Sequence, residues 1–320
     1  MATKKKAKAK PVKAKAKAKA AAPAAKKPIG MAVNIGLNFV DPAHYGGWDG
    51  ELAACQFDAK DMRELAQARG MTSELMLDAQ ATRAKVIGAI QGAAAKLRAG
   101  DYFLLTYSGH GGQVDDVTAD EDDRLDETWC LWDGELIDDE LYYELGRFAS
   151  GVRICVLSDS CHSGTVVRRM PSDGKMPPAS RMMPPDIAEK VYKAHKSFYD
   201  GLQKAITRKA GKNGTLEPGA GSPQAAVSER LVAIANRFQA QLILISGCQD
   251  RQLSRDGARN GVFTGQLRTV WNSGAYGGNY AQLRAAVAAG IPPAYDQTPN
   301  LFTLGDTSKF VLEKPFTLKP

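Results

Sequence analysis

The fold is decided by two stretches of sequence, DYFLLTYSGHGGQ at residues 101–113 and VRICVLSDSCHSG at residues 152–164. Each begins with a short apolar run, which is typical of a strand buried on both faces of a parallel sheet. Each run ends in a turn of small and polar residues that carries one reactive side chain, His110 or Cys161. Ligands of open parallel sheets bind beyond the carboxyl ends of the strands. If the two strands are neighbours, we therefore expect both side chains in one crevice.

The sequence outside these stretches alternates strand and helix patterns. Apolar residues at helical spacing, such as Val86, Ile87 and Ile90, stand between further apolar runs. This alternation predicts an α/β fold with a central, mostly parallel sheet flanked by helices. The predicted strands are 31–40, 73–78, 101–107, 152–158, 241–247 and a strand-like tract at 300–312, and the predicted helices are 58–69, 82–98, 186–206, 225–238 and 280–289.

The composition is that of a globular protein. Of 320 residues, 44% are hydrophobic and 24% charged, which is enough to bury a core. The five cysteines are odd in number, widely spaced and without a CxxC pair. They favour reduced thiols and a cytoplasmic location over a disulfide framework or a zinc site. No apolar run approaches the ~18 residues of a membrane span, so no membrane association is expected.

The positive net charge belongs to one end of the chain. Residues 1–28 hold eleven lysines and no acid, so the overall charge of +7 leaves about −4 for residues 29–320. The Lys/Ala-rich composition predicts a disordered tail over 1–28. Two interpretations of the tail stay open: weak, salt-dependent binding to a polyanion such as nucleic acid, or a solvating arm.

The two turns carry the residue types of nucleophilic catalysis. Cys161 can supply a thiolate nucleophile and His110 the general base that ionises it. Glycines around His110 let the backbone approach a substrate, and the backbone N–H groups of Gly111 and Cys161 are candidate oxyanion donors. His162 is a rival base, but adjacent side chains on an extended chain point apart. A lone strand-end cysteine is usually a core residue; it is the combination with His110 that favours catalysis.

The paired motifs YSGHGGQ (107–113) and DSCHSG (159–164) resemble those of the caspase-like cysteine peptidases of clan CD, family C14. Within that group the match is to metacaspases and their prokaryotic relatives, the orthocaspases. The resemblance covers residues 31–164 and 241–312. It implies a caspase-like three-layer sandwich in a peptidase domain at 29–320. The implied divisions are a large-subunit-like part at 29–164, an insertion or linker at 165–240 and a small-subunit-like part at 241–320.

The resemblance also assigns site residues. His110 and Cys161 match the catalytic dyad, which implies attack on a peptide carbonyl and an acyl-enzyme intermediate. The S1 pocket, which receives the side chain preceding the cleaved bond, is matched by Cys55, Asp58, Ser108 and Asp159. Two acids in that pocket imply polypeptide substrates cleaved after Arg or Lys. On residue type alone, Asp58 is more readily interpreted as a helix N-cap.

A calcium site is a further implication of the resemblance. Asp126, Asp138 and Asp139 correspond to calcium ligands, and carboxylate oxygens suit Ca²⁺. Arg168 stands where the family has another acid, which would weaken the site. A solvated acidic loop is the alternative interpretation. We expect no required cofactor, with Ca²⁺ as a candidate activator.

Self-cleavage between the two halves is common in the family, and the 165–240 segment is where we expect it. Basic residues that flank a glycine-rich loop there fit a basic preference: Lys204, Arg208, Lys209 and Lys212. Two other functions remain open. One is a catalytically silent caspase-like binding or regulatory module, since a fold does not secure an activity. The other is a nucleic-acid-associated protein led by its tail. An intact dyad together with an acidic pocket favours the peptidase.

Overall fold

The predicted alternation of strands and helices is present in the computed structural model, which describes residues 27–116, 125–161, 179–210, 229–249 and 252–318. The elements follow in chain order as β1 (Gly30–Gly36), α1 (Cys55–Ala68), β2 (Thr72–Leu77), α2 (Arg83–Lys96), β3 (Tyr102–Ser108), β4 (Gly111–Asp115), β5 (Leu125–Leu131), β6 (Gly134–Ile137), α3 (Asp138–Leu145), β7 (Arg153–Asp159), α4 (Pro185–Ala210), α5 (Glu229–Ala235), β8 (Gln241–Ser246), α6 (Val262–Trp271), α7 (Tyr280–Gly290) and β9 (Asn300–Leu304).

The central sheet has six strands in the order β2–β1–β3–β7–β8–β9. All neighbours are parallel except β8 and β9, which are antiparallel. β3 and β7 are adjacent, and their last residues, Ser108 and Asp159, stand opposite each other. The turns that follow these two strands therefore begin side by side at one edge of the sheet.

Helices cover both faces of this sheet, because alternate strand residues point to opposite sides. On one face, Val33 and Phe103 belong to a core that includes residues of α2, α3, α4 and α5. On the other, Ala32 and Leu104 belong to a core with residues of α1, α6 and α7. The predicted α/β fold, a mostly parallel sheet between two helical layers, is thereby confirmed.

A second, antiparallel sheet of β4, β5 and β6 was not among the predicted elements. It begins at Gly111, directly after His110. Its strands are four to seven residues long and interrupted by glycine and acidic residues, so they carry no apolar run that would mark them in the sequence. This sheet fixes the path of the chain that leaves the His110 turn.

Two predicted strands are too long. The first was expected over 31–40 but ends at Gly36, because the Val40 N–H bonds to Asp49 O in a loop and no longer to a neighbouring strand. The tract at 300–312 forms a strand only to Leu304. Gly305 then adopts φ +73, which is outside the extended range, so the strand ends there. A Cβ at this position would lie 2.0 Å from Ala240 O, so the turn requires glycine.

Most of the predicted tail and parts of the predicted linker fall outside the described residues. Within the described ranges, all five cysteines are free thiols, and each is buried. None of the helices there combines the length and the apolar character that crossing a bilayer demands.

Candidate active site

His110 and Cys161 each lie two residues beyond the paired strand ends Ser108 and Asp159. Both are buried, with 6% and 1% of their surface exposed. The sheet register thus brings the two predicted turns together, as expected for neighbouring parallel strands.

The His110 ring is held by backbone and aromatic contacts. Its Nε2 lies 3.1 Å from Gly50 O, and Trp48 packs against the ring with centroids 4.8 Å apart. A carbonyl oxygen can only accept a hydrogen bond, so the Nε2 that faces it is assigned the proton and Nδ1 the lone pair. Nδ1 is buried without a hydrogen-bond partner of normal geometry among the described residues. Burial lowers the pKa of His110 to about 4, although the backbones of Gly50 and Met182 oppose the shift, so the imidazole is neutral near pH 7.

The Cys161 thiol faces the backbone of Ser254. The sulfur accepts the Ser254 N–H at 2.8 Å and lies 3.3 Å from Ser254 O. Cys248 is a second thiol at this place, and its hydrogen bond with Cys161, together with burial, raises its pKa well above the usual value. Cys161 therefore contacts the loop after β8, which lies more than 80 residues further along the chain.

The two predicted oxyanion donors converge on one oxygen atom. The backbone N–H groups of Gly111 and Cys161 both donate to the carbonyl oxygen of Arg181, at 2.9 and 3.1 Å. A side chain at position 111 could not be accommodated, because its Cβ would lie 1.5 Å from Cys161 O. The glycine is therefore required for the close approach of these two turns.

The side chain of Arg181 is completely buried among three carboxylates. Its Nη2 lies 2.8 Å from Asp58 and 2.7 Å from Asp256, and its Nη1 lies 3.0 Å from Asp159. Nη1 also donates to Ser108 Oγ at 2.8 Å. Burial opposes the positive charge, but these acids outweigh it and raise the pKa of Arg181 well above its usual value.

Uncharged groups donate hydrogen bonds to the two predicted acids of this pocket, Asp58 and Asp159. Asp58 accepts from Ser108 Oγ at 2.7 Å and from Asn260 Nδ2 at 2.9 Å. Asp159 accepts from the backbone and hydroxyl of Thr264, at 3.0 and 2.7 Å. Burial raises the pKa of Asp58 to about 6, with Arg181 acting against this rise and Asp159 adding to it.

The predicted S1 residues are thus brought together around one guanidinium. Cys55 is completely buried at the start of α1, and burial raises the pKa of its thiol, while the nearby Arg181 charge lowers it. The interpretation of Asp58 as a helix N-cap is wrong. α1 begins at Cys55 with Ala54 as its N-cap, and the Asp58 carboxylate turns inward to Arg181.

Sequence reasoning did not identify several residues of the site: Arg181, Ser254, Asp256 and Gly261. The last three lie within residues 241–312, which the resemblance covers without assigning roles to them. No local signal marks Arg181, a single arginine in a stretch rich in methionine and proline. Its role depends on tertiary contacts alone.

The predicted calcium residues lie in and directly after the second sheet. Asp126 is buried in β5, and Asp138 and Asp139 begin α3 directly after β6. β5 and β6 pair with Thr128 opposite Ile137, so the three acids lie toward the same end of this hairpin. The described part of the chain contains no group of three or more His, Cys, Asp or Glu side chains able to hold a metal ion.

The remaining sequence candidates divide between two locations. Lys204, Arg208 and Lys209 lie in the last turns of α4, where the backbone is helical. Lys212, the rival base His162 and Arg168 lie outside the described residues.

Comparison with known proteins gives consistent matches. Residues 31–170 match the model of the metacaspase peptidase C14 domain. Metacaspase-1 of Saccharomyces cerevisiae is 30% identical over 259 residues, 74% of this chain and 56% of that protein. Metacaspase-1 of Kluyveromyces lactis is 29% identical over 303 residues, 84% of this chain and 65% of that protein. The chain therefore spans less than two thirds of the length of these curated relatives.

A solved structure also matches over nearly the whole chain. The crystal structure of protein GSU0716 from Geobacter sulfurreducens is 48% identical, with a TM-score of 0.77. The match covers 92% of this chain and 100% of that one. The architecture described above is therefore shared with that protein along its full length.

Proposed function

Because the chain belongs to the metacaspase family of C14 peptidases, we propose that it is a cysteine endopeptidase that cleaves polypeptides after arginine or lysine. One observation carries this proposal. A single residue, Arg181, has its side chain among three carboxylates and its carbonyl oxygen against two backbone N–H groups. A peptide substrate with a basic residue before the cleaved bond needs the same two sets of contacts.

In the proposed mechanism His110 moves the protons and Cys161 forms the covalent bond. The unprotonated Nδ1 of His110 takes the thiol proton, and the thiolate attacks the peptide carbonyl carbon. The N–H groups of Gly111 and Cys161 stabilise the oxyanion. His110 then protonates the leaving amine, and water hydrolyses the thioester.

Within the S1 pocket, formed by Asp58, Ser108 and Asp159 with Cys55 at its wall, we propose a preference for arginine over lysine. The guanidinium presents a planar fork of donors, and three carboxylates and one hydroxyl converge on its two Nη atoms. An ammonium is a point charge with three donors and cannot reach acceptors on opposite sides of the pocket equally well. Lysine peptides are therefore expected to be cleaved more slowly.

Calcium is proposed as an activator rather than as a required cofactor, bound through Asp126, Asp138 and Asp139. Ca²⁺ takes about 6–8 oxygen ligands. The described residues do not assemble such a set by themselves, and residues 117–124, which lie outside them, carry further acids in the sequence. Equal rates of peptide cleavage with a chelator and with added Ca²⁺ would rule the proposal out.

Two proposals concern the setting of the enzyme. The lysine-rich tail, residues 1–28, is proposed to bind a polyanion, since its eleven positive charges have no acid among them. A cytoplasmic location is proposed because all five cysteines are free thiols, as a reducing compartment would keep them. Self-processing within 165–240 is a separate proposal, since a basic residue in that segment would suit the enzyme's own pocket.

The test is the hydrolysis of fluorogenic peptides that end in Arg, Lys or Asp. Wild type is expected to cleave the Arg peptide fastest, the Lys peptide more slowly and the Asp peptide not at all. Cys161→Ala should cleave none of them. Cys155→Ala is the matched control, because it removes a buried thiol that lies within β7 and belongs to the helix-covered core rather than to the crevice.

Two results would contradict the proposal. Cleavage of the Asp peptide in preference to the Arg peptide would exclude the proposed pocket. No turnover of any peptide, by wild type or by a variant in which Arg181 is replaced, would leave a catalytically silent module as the better interpretation.

A further inference from the structure

We propose that the bond between Arg181 and Met182 is the one that this enzyme cuts in its own chain, and that the segment 179–183 covers the crevice until that cut. This rests on the peptidase activity proposed above and names its first substrate. The segment lies in the predicted linker, but none of its residues was a candidate from the sequence.

The residues before the bond are held like an added β-strand. The Arg181 N–H donates to Ser254 O at 3.0 Å, and the Asp256 N–H donates to Ala179 O at 2.7 Å. Ser180 and Arg255 form the antiparallel bridge between these contacts. Main-chain pairing of this kind is a common way for a protein to hold an extended peptide irrespective of its sequence.

The residues after the bond are held by the turn that carries His110. The Met183 N–H donates to Gly111 O at 2.7 Å, and Met182 bridges Gly111 in parallel. The Arg181 carbonyl oxygen lies between these two anchored stretches, against the Gly111 and Cys161 N–H groups. The bond is therefore fixed on both sides, with the residues proposed for catalysis around it.

A purely structural role does not account for these contacts. One guanidinium faces three buried carboxylates. Burying uncompensated charge is costly, and a single pair would serve stability better. A stabilising ion pair of the Arg181 side chain also does not require that two backbone N–H groups donate to the Arg181 carbonyl oxygen. The pocket therefore has the charge and the donors of a substrate site, filled by the chain itself.

The other basic candidates do not share this geometry. Lys204, Arg208 and Lys209 lie in α4, so presenting any of them in an extended form would require unwinding the end of that helix. Arg181 is already extended and paired. Among the described basic residues of the linker, it is the one that meets both the pocket and the backbone donors.

The proposed reaction balances as a single hydrolysis. The Cys161 sulfur bonds to the Arg181 carbonyl carbon, the bond to the Met182 nitrogen breaks, and His110 delivers the former thiol proton to that amine. Water then cleaves the thioester, which leaves a carboxylate on Arg181 and restores the thiol. Cys161 is 1% exposed and Met182 4% exposed in the uncut chain, so the crevice admits other substrates only after the segment has moved.

The experiment follows the full chain from its synthesis. Wild type, Cys161→Ala, Arg181→Gln, Arg181→Lys and Arg208→Gln are made in a cell-free system, synthesis is stopped, and intact masses are recorded over time at two dilutions. Wild type and Arg208→Gln should give the fragments 1–181 and 182–320, with a rate that does not depend on dilution. Arg181→Lys should give the same fragments more slowly. Cys161→Ala and Arg181→Gln should keep this bond intact.

Activity on an added Arg peptide separates this proposal from the peptidase function. Arg181→Gln, whose segment stays uncut and keeps its main-chain pairing, is expected to cleave the peptide far more slowly than wild type does after its initial lag. If wild type cleaves the peptide while its Arg181–Met182 bond stays whole, the inference on self-cleavage is wrong and the peptidase function stands. If the rate rises with concentration, the cut is made between molecules and the arrangement within one chain is not its cause. If no form cleaves the peptide, the peptidase function itself is wrong.

Discussion

At the scale of single residues, Gly261 shows how the pocket reaches its shape. Its N–H donates to both oxygens of Asp58, at 3.1 and 3.2 Å. A Cβ at this position would lie 2.5 Å from Asp159 Oδ2 and 2.6 Å from Arg181 Cζ. The glycine thus supplies a donor to one acid and leaves room for the guanidinium against the other. The missing side chain is part of the proposed specificity.

Gly261→Ala is therefore expected to impair cleavage after arginine. The added methyl group would lie 2.6 Å from the guanidinium carbon, closer than non-bonded atoms approach, so the guanidinium must move. A displacement of about 1 Å near reacting atoms can cost on the order of 100-fold in rate. We expect kcat/KM for an Arg peptide to fall by about that factor. Gly92→Ala is the control, because a Cβ in that α2 position meets nothing within 4 Å. A kcat/KM within twofold of wild type, at an unchanged Tm, would refute this account of the pocket.

At the scale of elements, α4 contacts the loop after β1 through a pair of stacked histidines. The rings of His44 and His195 stack with centroids 4.0 Å apart. His195 Nε2 lies 3.1 Å from His44 O, and His44 Nε2 lies 3.0 Å from Tyr199 Oη. The helix is kinked at His195, where the backbone leaves helical geometry. Since α4 directly follows the segment 179–183, this histidine contact helps to set where that segment ends.

Acidification should weaken this contact between His44 and His195. Burial and the neighbouring His195, with a smaller effect of Arg83, lower the pKa of His44 to about 4, while Asp133 and Asp41 oppose the shift. Below the ordinary pKa of 6.5 the unfolded chain gains a proton at His44 that the folded chain does not, so stability falls as the pH drops from about 6.5 toward 4. In a Cys161→Ala background, His44→Gln should reduce the loss of Tm between pH 7.5 and 5.0 by on the order of 2 °C.

Other groups also titrate in this range, so the comparison between the two chains is what counts. The lowered pKa of His110 makes the protein less stable as the pH falls, as that of His44 does, whereas the raised pKa of Asp58 makes it more stable. His110 and Asp58 are present in both the parent and the His44→Gln chain. Their contributions therefore cancel when the two losses of Tm are subtracted. An equal loss of Tm in the two chains would show that His44 does not stay neutral in the folded protein.

The elements also show what could be predicted from the sequence. The strands β3 and β7 were predicted because complete burial makes them unbroken apolar runs, and the parallel register then placed His110 beside Cys161. The β4–β6 sheet gave no such signal. Arg181 could not be predicted, because its pocket combines Asp58, Asp159 and Asp256, which are distant in sequence and meet only in the folded chain.

At the scale of the whole molecule, the two proposed functions, peptide cleavage and polyanion binding, are assigned to separate parts of the chain. The described fold begins at residue 27, and every described contact of the crevice comes from residues beyond it. The fold carries a net charge of about −4, whereas the tail before it carries eleven lysines. A polyanion should therefore meet attraction at the tail and mild repulsion elsewhere, so binding and catalysis are expected to be independent.

A chain that begins at residue 29 tests this separation. Its kcat/KM for an Arg peptide should stay within twofold of the full chain, because the proposed dyad and pocket are untouched. Its affinity for duplex DNA should fall, and the salt dependence of binding should flatten by about 0.9 in log–log slope for each phosphate that the tail no longer neutralises. A tail of scrambled sequence and equal composition is the control and should bind as the original does, because counterion release depends on charge rather than on sequence. Loss of peptidase activity on deletion would make the tail part of the catalytic machinery, and unchanged DNA affinity would move the polyanion site onto the fold.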